Sequence, residues 1–397
     1  MSFLKGKNIV LGVSGGIAAY KSTFLVRLFV KSGAHIRVIL TPDAEEFVTP
    51  LSLSTLSKNP VISSFYNEEK TWHNHVKLGE WADYMLIAPA TANTISKMVA
   101  GHSNNFLLTT YLSAKCPVFI APAMDLDMYK HQSTQDNLAK LQAYGNQVIP
   151  VGSGELASGL SGKGRMAEPE EILSYLQNYI QEQLPLANKT FLITAGPTYE
   201  PIDPVRFIGN HSSGKMGMEI AKAALNLGAK VKLVLGPSAL TYQHLNLEII
   251  PVQTAAQMLE ACLLHFESVD IAIATAAVSD YKPAEVANQK IKKKEDSISL
   301  QLVKNPDILK TLGSQKTNQL LVGFALETQN EEENAIQKLN NKNLDFIVLN
   351  SMNNDGAGFK HDTNKITILA HQYKKEFHLK TKPEVASDIL TEILQRI

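Results

Sequence analysis

A chain of 397 residues is long for one hydrophobic core and comfortable for two domains of ordinary size. Its 38 basic residues balance its 38 acidic ones, so no net field draws it toward nucleic acid or an acidic membrane. The apolar fraction of 44% is that of a globular protein, and no apolar run approaches the ~20 residues of a membrane span.

The N-terminus MSFLKGKNIVLGV runs straight into a strand, with no separate signal peptide. Strands are predicted at 8–13, 36–40, 84–90 and 117–123, and again at 190–195, 231–235, 271–277, 320–325 and 345–350. They are continuous aliphatic or β-branched runs, as expected when both faces of a sheet are covered. Amphipathic helical patterns separate them. Gly33 and Gly228 stand just past two of these helices, where a left-handed residue ends the last turn. A helix over 170–184 ends at Pro185 and leads through PLANK into a second opening of the same kind as the first. The chain therefore reads as two doubly wound, Rossmann-like or flavodoxin-like α/β domains in tandem, 1–188 and 189–397. Ligands of such sheets sit beyond the carboxyl ends of the strands. The unusual segments fall there. Cys116 and Cys262 lie among apolar neighbours and read as core residues. Two cysteines are too few for a disulfide framework and suit a reducing cytoplasm.

In the first half, GVSGGIAAYK places Gly12, Ser14, Gly15 and Gly16 in a strand-to-helix turn. Glycines there let the backbone approach an anion that a helix N-terminus attracts. The same letters fit the G-x-S-x-G elbow of hydrolases, but no Asp and His follow in the order that reading needs. A purely structural turn is the third option. APATANTISK opens a helix capped by Thr91 or Asn93 and also sets hydroxyls and an amide at a strand's carboxyl end. His73 and His75 precede it; without a third ligand at diagnostic spacing they make a poor metal pair.

Five segments in order, SGGIAAYK, HVKL, APATANTISK, PAMDLDMY and SGKGRM, resemble the flavin-dependent cysteine decarboxylases. The nearest pattern is the N-terminal half of the bacterial bifunctional phosphopantothenoylcysteine decarboxylase/phosphopantothenate–cysteine ligases. The resemblance implies non-covalent FMN, with its phosphate on Gly15–Gly16 and with Ser14, Thr41, Thr91 and Asn93 around it. It implies His75 as catalytic base and Asn93, Met124, Asp125 and Arg165 as substrate-holding residues. A flavin suits the reaction because oxidising the thiol to a thioaldehyde lets loss of CO₂ give a delocalised enethiolate, which the reduced flavin can then reduce. Two positions depart from the family pattern: Asp125 replaces its usual Asn, and Ser158 its usual Cys. An ionised Asp125 would repel a substrate carboxylate, so it has to be protonated, act through water or a cation, or have left that role. Ser158, in the place of the catalytic Cys, cannot supply a thiol for the last proton transfer; a hydroxyl or water would have to relay it.

In the second half, RFIGNHSSGKMG carries the spacing G-x-x-x-x-G-K of a phosphate loop, with Met216 where that loop needs a Mg²⁺-binding hydroxyl. A helix start preceded by Asn210, His211, Ser212 and Ser213 remains, which reads equally as a nucleotide cradle or as a structural cap. With AAVSDYKP, KIKK, LVKNPDIL, GFALET and KNLDFIVLN, the segment resembles the CTP-dependent ligase half of the same bifunctional family. That implies CTP among Ala276, Asp280, Asn305, Pro306, Asp307, Ile308 and Phe324, with Lys290 in the nucleotide–phosphate region and Lys338 and Lys342 reaching it from the segment QKLNNKNLD. It implies Asn210 as the donor stabilising an acyl-cytidylate, and Mg²⁺ accompanying the triphosphate through ligands that the sequence does not identify. Implied partners are the small substrates 4′-phosphopantothenate, cysteine and CTP, and further copies of the chain in a trimer-based assembly, up to a dodecamer. A tandem nicotinamide oxidoreductase would need an acidic residue ending the second strand; Thr41-Pro42 and Gly236-Pro237 stand there instead. A flavin-binding module that has lost decarboxylation is the non-catalytic alternative.

Overall fold

The computed structural model describes residues 3–66, 69–156, 158–292, 298–327, 329–351 and 362–397. The chain divides into two compact units, Met1–Ile180 and Gln181–Ile397. Among the described residues no helix is long and apolar enough to cross a membrane.

The first unit is built on five parallel strands, β1 (Asn8–Val13), β2 (His35–Leu40), β3 (Tyr84–Ala90), β4 (Val118–Pro122) and β5 (Gln147–Val148), in the order β2-β1-β3-β4-β5. This is the flavodoxin-like order, whose ligand crevice opens where β1 and β3 part. The β1 side chains divide between two cores: Ile9, Leu11 and Val13 pack on one face, Val10 on the other. The continuous apolar runs follow from that double burial. A hairpin of β6 (Gly152–Glu155) and β7 (Ser161–Arg165) then folds beside the carboxyl ends.

In the second unit the strands run Leu247–Pro251, Lys230–Leu235, Thr190–Ala195, Ile271–Ala274, Leu320–Glu327 and Phe346–Ser351 across the sheet, all parallel. Two antiparallel strands, Ile366–Ala370 and Lys374–Glu376, complete it. In chain order the parallel part is 3-2-1-4-5-6, the Rossmann arrangement. Helices Lys215–Asn226 and Lys382–Leu394 share the core on one sheet face; Ala255–Phe266, Ile308–Gln315 and Glu331–Asn341 share the other. Gly33 and Gly228 are left-handed, at φ 84° and 95°, just past their helices.

Three expected elements are shorter, the strand expected over 117–123 being Val118–Pro122. The strand expected over 271–277 ends at Ala274; beyond it the Thr275 hydroxyl donates to the Thr194 carbonyl at 2.6 Å, and only Ala277 pairs again, in a bridge to Pro197. The helix expected over 170–184 is Pro169–Glu182. Cys262 is buried and Cys116 half-buried; burial pushes their thiols up to about 12 and about 11, so neither is a nucleophile near neutral pH.

The loop between strand and helix in the second unit is organised by Asp203, which is 2% exposed. Its carboxylate accepts from the Arg206 guanidinium at 2.5 and 2.9 Å and from the backbone N–H groups of Val205, Arg206 and Ile291. The Arg206 side chain first, and these N–H groups after it, hold the Asp203 carboxyl below the usual carboxylate range. A carboxyl whose pKa is depressed by folding stabilises the fold above its unfolded value of ~3.9, and that contribution is lost as pH falls. Asp203→Asn is therefore expected to have a clearly lower Tm than the wild type at pH 7, with the gap closing as both are titrated below about pH 4. Equal Tm values at pH 7 would show that the loop does not depend on this charge.

Candidate active sites

The first unit holds a cavity of about 720 Å³ at the carboxyl ends of its strands. Its floor is pinned by Ser14, 1% exposed, whose hydroxyl donates to the Pro89 carbonyl at 2.8 Å and accepts from the Thr91 N–H at 3.0 Å. These bonds tie the loop after β1 to the loop after β3. Thr91 caps helix Ala92–Val99, accepting from the Thr94 N–H at 3.4 Å; Asn93, inside the helix, is exposed on the cavity wall. Gly15 is required by space: a Cβ there would come within 2.6 Å of the Asp43 Cβ and 2.9 Å of its carbonyl carbon. The glycine turn opens first into a 3₁₀ turn, Ile17–Lys21, and only then into helix Ser22–Lys31. The expected direct junction with an α-helix N-terminus is thus absent.

Gly15, Gly16, Thr41, Thr91, Asn93, Met124, Asp125 and Arg165 all line this cavity. Thr41 is 5% exposed and its hydroxyl has no hydrogen-bond partner among the described residues. A buried orphan hydroxyl beside a glycine cradle, in a cavity of ligand size, fits a phosphorylated aromatic cofactor. Sequence reasoning missed Lys21, a buried cation of the wall that donates to the Met166 carbonyl at 3.2 Å and to Glu168 at 2.9 Å. Glu168 is shared with Arg165, also at 2.9 Å. The signal was present, since Lys21 closes the motif SGGIAAYK.

Three expected residues stand outside the wall. Ser14 lies beneath it. His75 begins helix His75–Trp81, its ring edge-on to Trp72 and Phe106 and its Nδ1 buried without a partner among the described residues. Ser158 is exposed in the turn of the β6–β7 hairpin. Within a single chain, neither His75 nor Ser158 reaches the cavity that holds Asn93 and Asp125.

The second unit has a cavity of about 630 Å³ above its sheet. Thr194 and Thr198 shape it: their hydroxyls accept from the N–H groups of Ala276 at 3.3 Å and Ser279 at 2.9 Å. Asn305 is fixed by its N–H on the Asp280 carbonyl at 2.8 Å and its amide on the Ser279 carbonyl at 2.9 Å, leaving a buried Oδ1 unpartnered among the described residues. Asp307 caps helix Ile308–Gln315 and pairs with Lys342 at 2.9 Å; Lys338 pairs with Glu327 at 2.5 Å. Asn210, Ala276, Asp280, Asn305, Pro306, Asp307, Ile308, Phe324, Lys338 and Lys342 line the cavity. Lys290 is exposed and off the wall, and Lys293 of the same motif, like Thr328 of GFALET, lies outside the described residues.

The phosphate-loop spacing has a packing cause. Helix Lys215–Asn226 starts at Gly214, with φ 77°, and a Cβ on Gly217 would come within 2.5 Å of both Ala195 Cβ and Thr275 Oγ1. Met216 is touched by the Asn364 amide, at 3.5 Å from its Sδ. Asn210 does not cap this helix, contrary to one sequence-based option. Its amide donates to the Val278 carbonyl at 2.9 Å, four residues before the cap, which leaves the second amide hydrogen for a ligand. The N–H groups of Gly214 and Lys215 are met by Ser212 and Ser213 rather than left free.

Two family models match the chain, "Flavoprotein" over residues 2–181 and "DNA/pantothenate metabolism flavoprotein C-terminal domain" over residues 186–397. It is 53% identical to a "Cysteine/Cysteine sulfinic acid decarboxylase" from an unknown prokaryotic organism, over 87% of this chain and 99% of that protein. It is 46% identical to the "Coenzyme A biosynthesis bifunctional protein CoaBC" of Haemophilus influenzae, over 99% of this chain and 98% of that one. The crystal structure of the C-terminal domain of a CoaBC protein is similar at 45% identity and a TM-score of 0.47, covering 54% of this chain and 98% of that one.

Proposed function

The chain belongs to the bifunctional CoaBC family of coenzyme A biosynthesis, with a flavoprotein decarboxylase half and a ligase half, and from that premise we propose how its two cavities divide the work. The second cavity activates the carboxylate of 4′-phosphopantothenate with CTP, and the amine of cysteine then displaces CMP. The first decarboxylates the resulting phosphopantothenoylcysteine to 4′-phosphopantetheine. One observation carries the reading: each unit has its own ligand-sized cavity at the carboxyl edge of its sheet, lined by the residues of that half's motifs.

FMN would be held by Gly15, Gly16 and Thr41, and among the described residues no Cys or His on this wall invites covalent attachment. When bound it supplies reversible oxidation of the substrate thiol. Asn93 and Asp125 orient the substrate, and the wall keeps water from the reacting carbon. Because His75 lies off the wall of its own cavity, its role as base requires a second copy of the chain, in keeping with a trimer-based assembly. Mg²⁺ is proposed to arrive with the triphosphate. Among the described residues no three His, Cys, Asp or Glu side chains gather into a metal cluster, so phosphate oxygens and water would supply most of its ligands. The setting is proposed to be cytoplasmic. Incubation with 4′-phosphopantothenate, cysteine and CTP should release pyrophosphate and CO₂ and yield the thiol product by mass. Pyrophosphate without CO₂ would restrict the function to the second half.

One observation favours a second substrate for the first half. Asp125 puts a carboxylate on the cavity wall, where it complements the α-ammonium of free cysteine; in phosphopantothenoylcysteine that nitrogen is a neutral amide. The relative at 53% identity is named for such substrates. If this reading holds, Asp125→Asn lowers kcat/KM for free cysteine about 10- to 100-fold, as losing a hydrogen bond to a charged group does, and spares phosphopantothenoylcysteine. A wild type that releases no CO₂ from free cysteine excludes it.

A further inference from the structure

Four lysines line the second cavity, and three of them are already paired. Lys215 meets Asp362 at 2.5 Å, Lys338 meets Glu327 at 2.5 Å and Lys342 meets Asp307 at 2.9 Å. Lys382 differs. It is 4% exposed, and among the described residues its ammonium has no hydrogen bond or ion pair. Burial, and then the like charge of Lys215, hold its pKa below the usual lysine range; the attraction of Asp362 is weaker than either. That carboxylate is also 81% exposed and engaged by Lys215. Its stem is buried while its ammonium opens on the ligand cavity, without a partner among the described residues, so a charge there gains from an anion that enters.

Its place in the fold matters. Lys382 begins helix Lys382–Leu394, which packs with helix Lys215–Asn226 on one face of the sheet. Lys338 belongs to helix Glu331–Asn341 on the opposite face, and Lys342 caps that helix. The cavity therefore receives cations from both faces. Ligation brings two phosphorylated substrates together, whose negative charges repel one another unless each is matched by its own cation.

We propose that Lys382, together with Lys215, forms a second phosphate-binding subsite of this cavity, separate from the Lys338–Lys342 side. The anion it takes is a phosphate group, from the acyl substrate or from the nucleotide. Only that choice of ligand rests on the ligase reading; the subsite itself does not.

The test is Lys382→Met in the full-length protein, with inorganic pyrophosphate as the first probe. Met keeps the buried aliphatic stem and removes the unpartnered charge, so the Tm without ligand should be unchanged or higher. Pyrophosphate affinity, measured by calorimetry, should fall at least about ten-fold, and Lys382→Arg should retain most of it. The Kd for CTP and the KM for 4′-phosphopantothenate then separate the sources: a loss in the first assigns the nucleotide's phosphates, a loss in the second alone the acyl substrate's. Wild-type affinity for all three ligands in Lys382→Met, or in Lys382→Gln should Met not fold, overturns the subsite. A wild type that binds pyrophosphate through Lys382, yet releases none from CTP and 4′-phosphopantothenate, keeps the subsite and removes the ligase reading.

Discussion

Asn210→Asp is expected to lower ligation by about 10²–10³, the usual effect of losing one preorganised donor at a developing oxyanion. Decarboxylation of supplied phosphopantothenoylcysteine should keep its wild-type rate. The Asn210 amide is held by the Val278 carbonyl at 2.9 Å on the cavity wall. An aspartate would set a carboxylate against that carbonyl, lose both amide hydrogens and repel the phosphate of an acyl-cytidylate. The helix beyond is untouched, since it begins at Gly214 without a side-chain cap. Pyrophosphate release and CO₂ release, measured on the same preparation, decide the matter. Unchanged ligation makes Asn210 a loop anchor only; equal loss of both activities means that the substitution perturbs the whole chain.

His75→Asn is expected to reduce decarboxylation by about 10²–10⁴, the range of a lost general acid–base group, while the protein keeps its yellow flavin absorbance. Retention follows from position: Gly15, Gly16 and Thr41 line the cavity and His75 does not. A decisive form uses mixed oligomers. His75→Asn and Asn93→Ala, each inactive alone, should recover part of the CO₂ release when co-assembled, because a cavity intact in one copy meets the His75 of another. Recovery absent at every mixing ratio would place the base within its own chain or remove it from the reaction. Loss of flavin from His75→Asn would make it a residue of the cofactor site.

The two halves were legible as α/β domains because their strands are buried on both faces. Such burial writes a continuous aliphatic run into the chain whatever the strand order. Gly33 and Gly228 marked helix ends for an equally local reason, the left-handed turn that only a residue without Cβ adopts easily. Motif segments at strand ends pointed to most of both cavity walls, since in a parallel sheet those ends share one edge. The family resemblance added the roles.

Other features were decided only when the chain closed on itself. In the sequence Asn210 stands among the groups at a helix start, whereas in the fold its amide holds a loop after the neighbouring strand, a partner that sequence adjacency cannot reveal. His75 and Ser158 stood in motifs with the cavity residues, yet folding leaves them off its wall. Lys382 lay in no motif at all. It reaches the second cavity because helices Lys215–Asn226 and Lys382–Leu394, distant in sequence, pack into one core on one face of the sheet. Local periodicity and turn chemistry are set by neighbours along the chain, so the sequence displays them. The pairing of a buried charge is set by whichever elements the strand order brings to the same edge, and that order exists only in the folded protein.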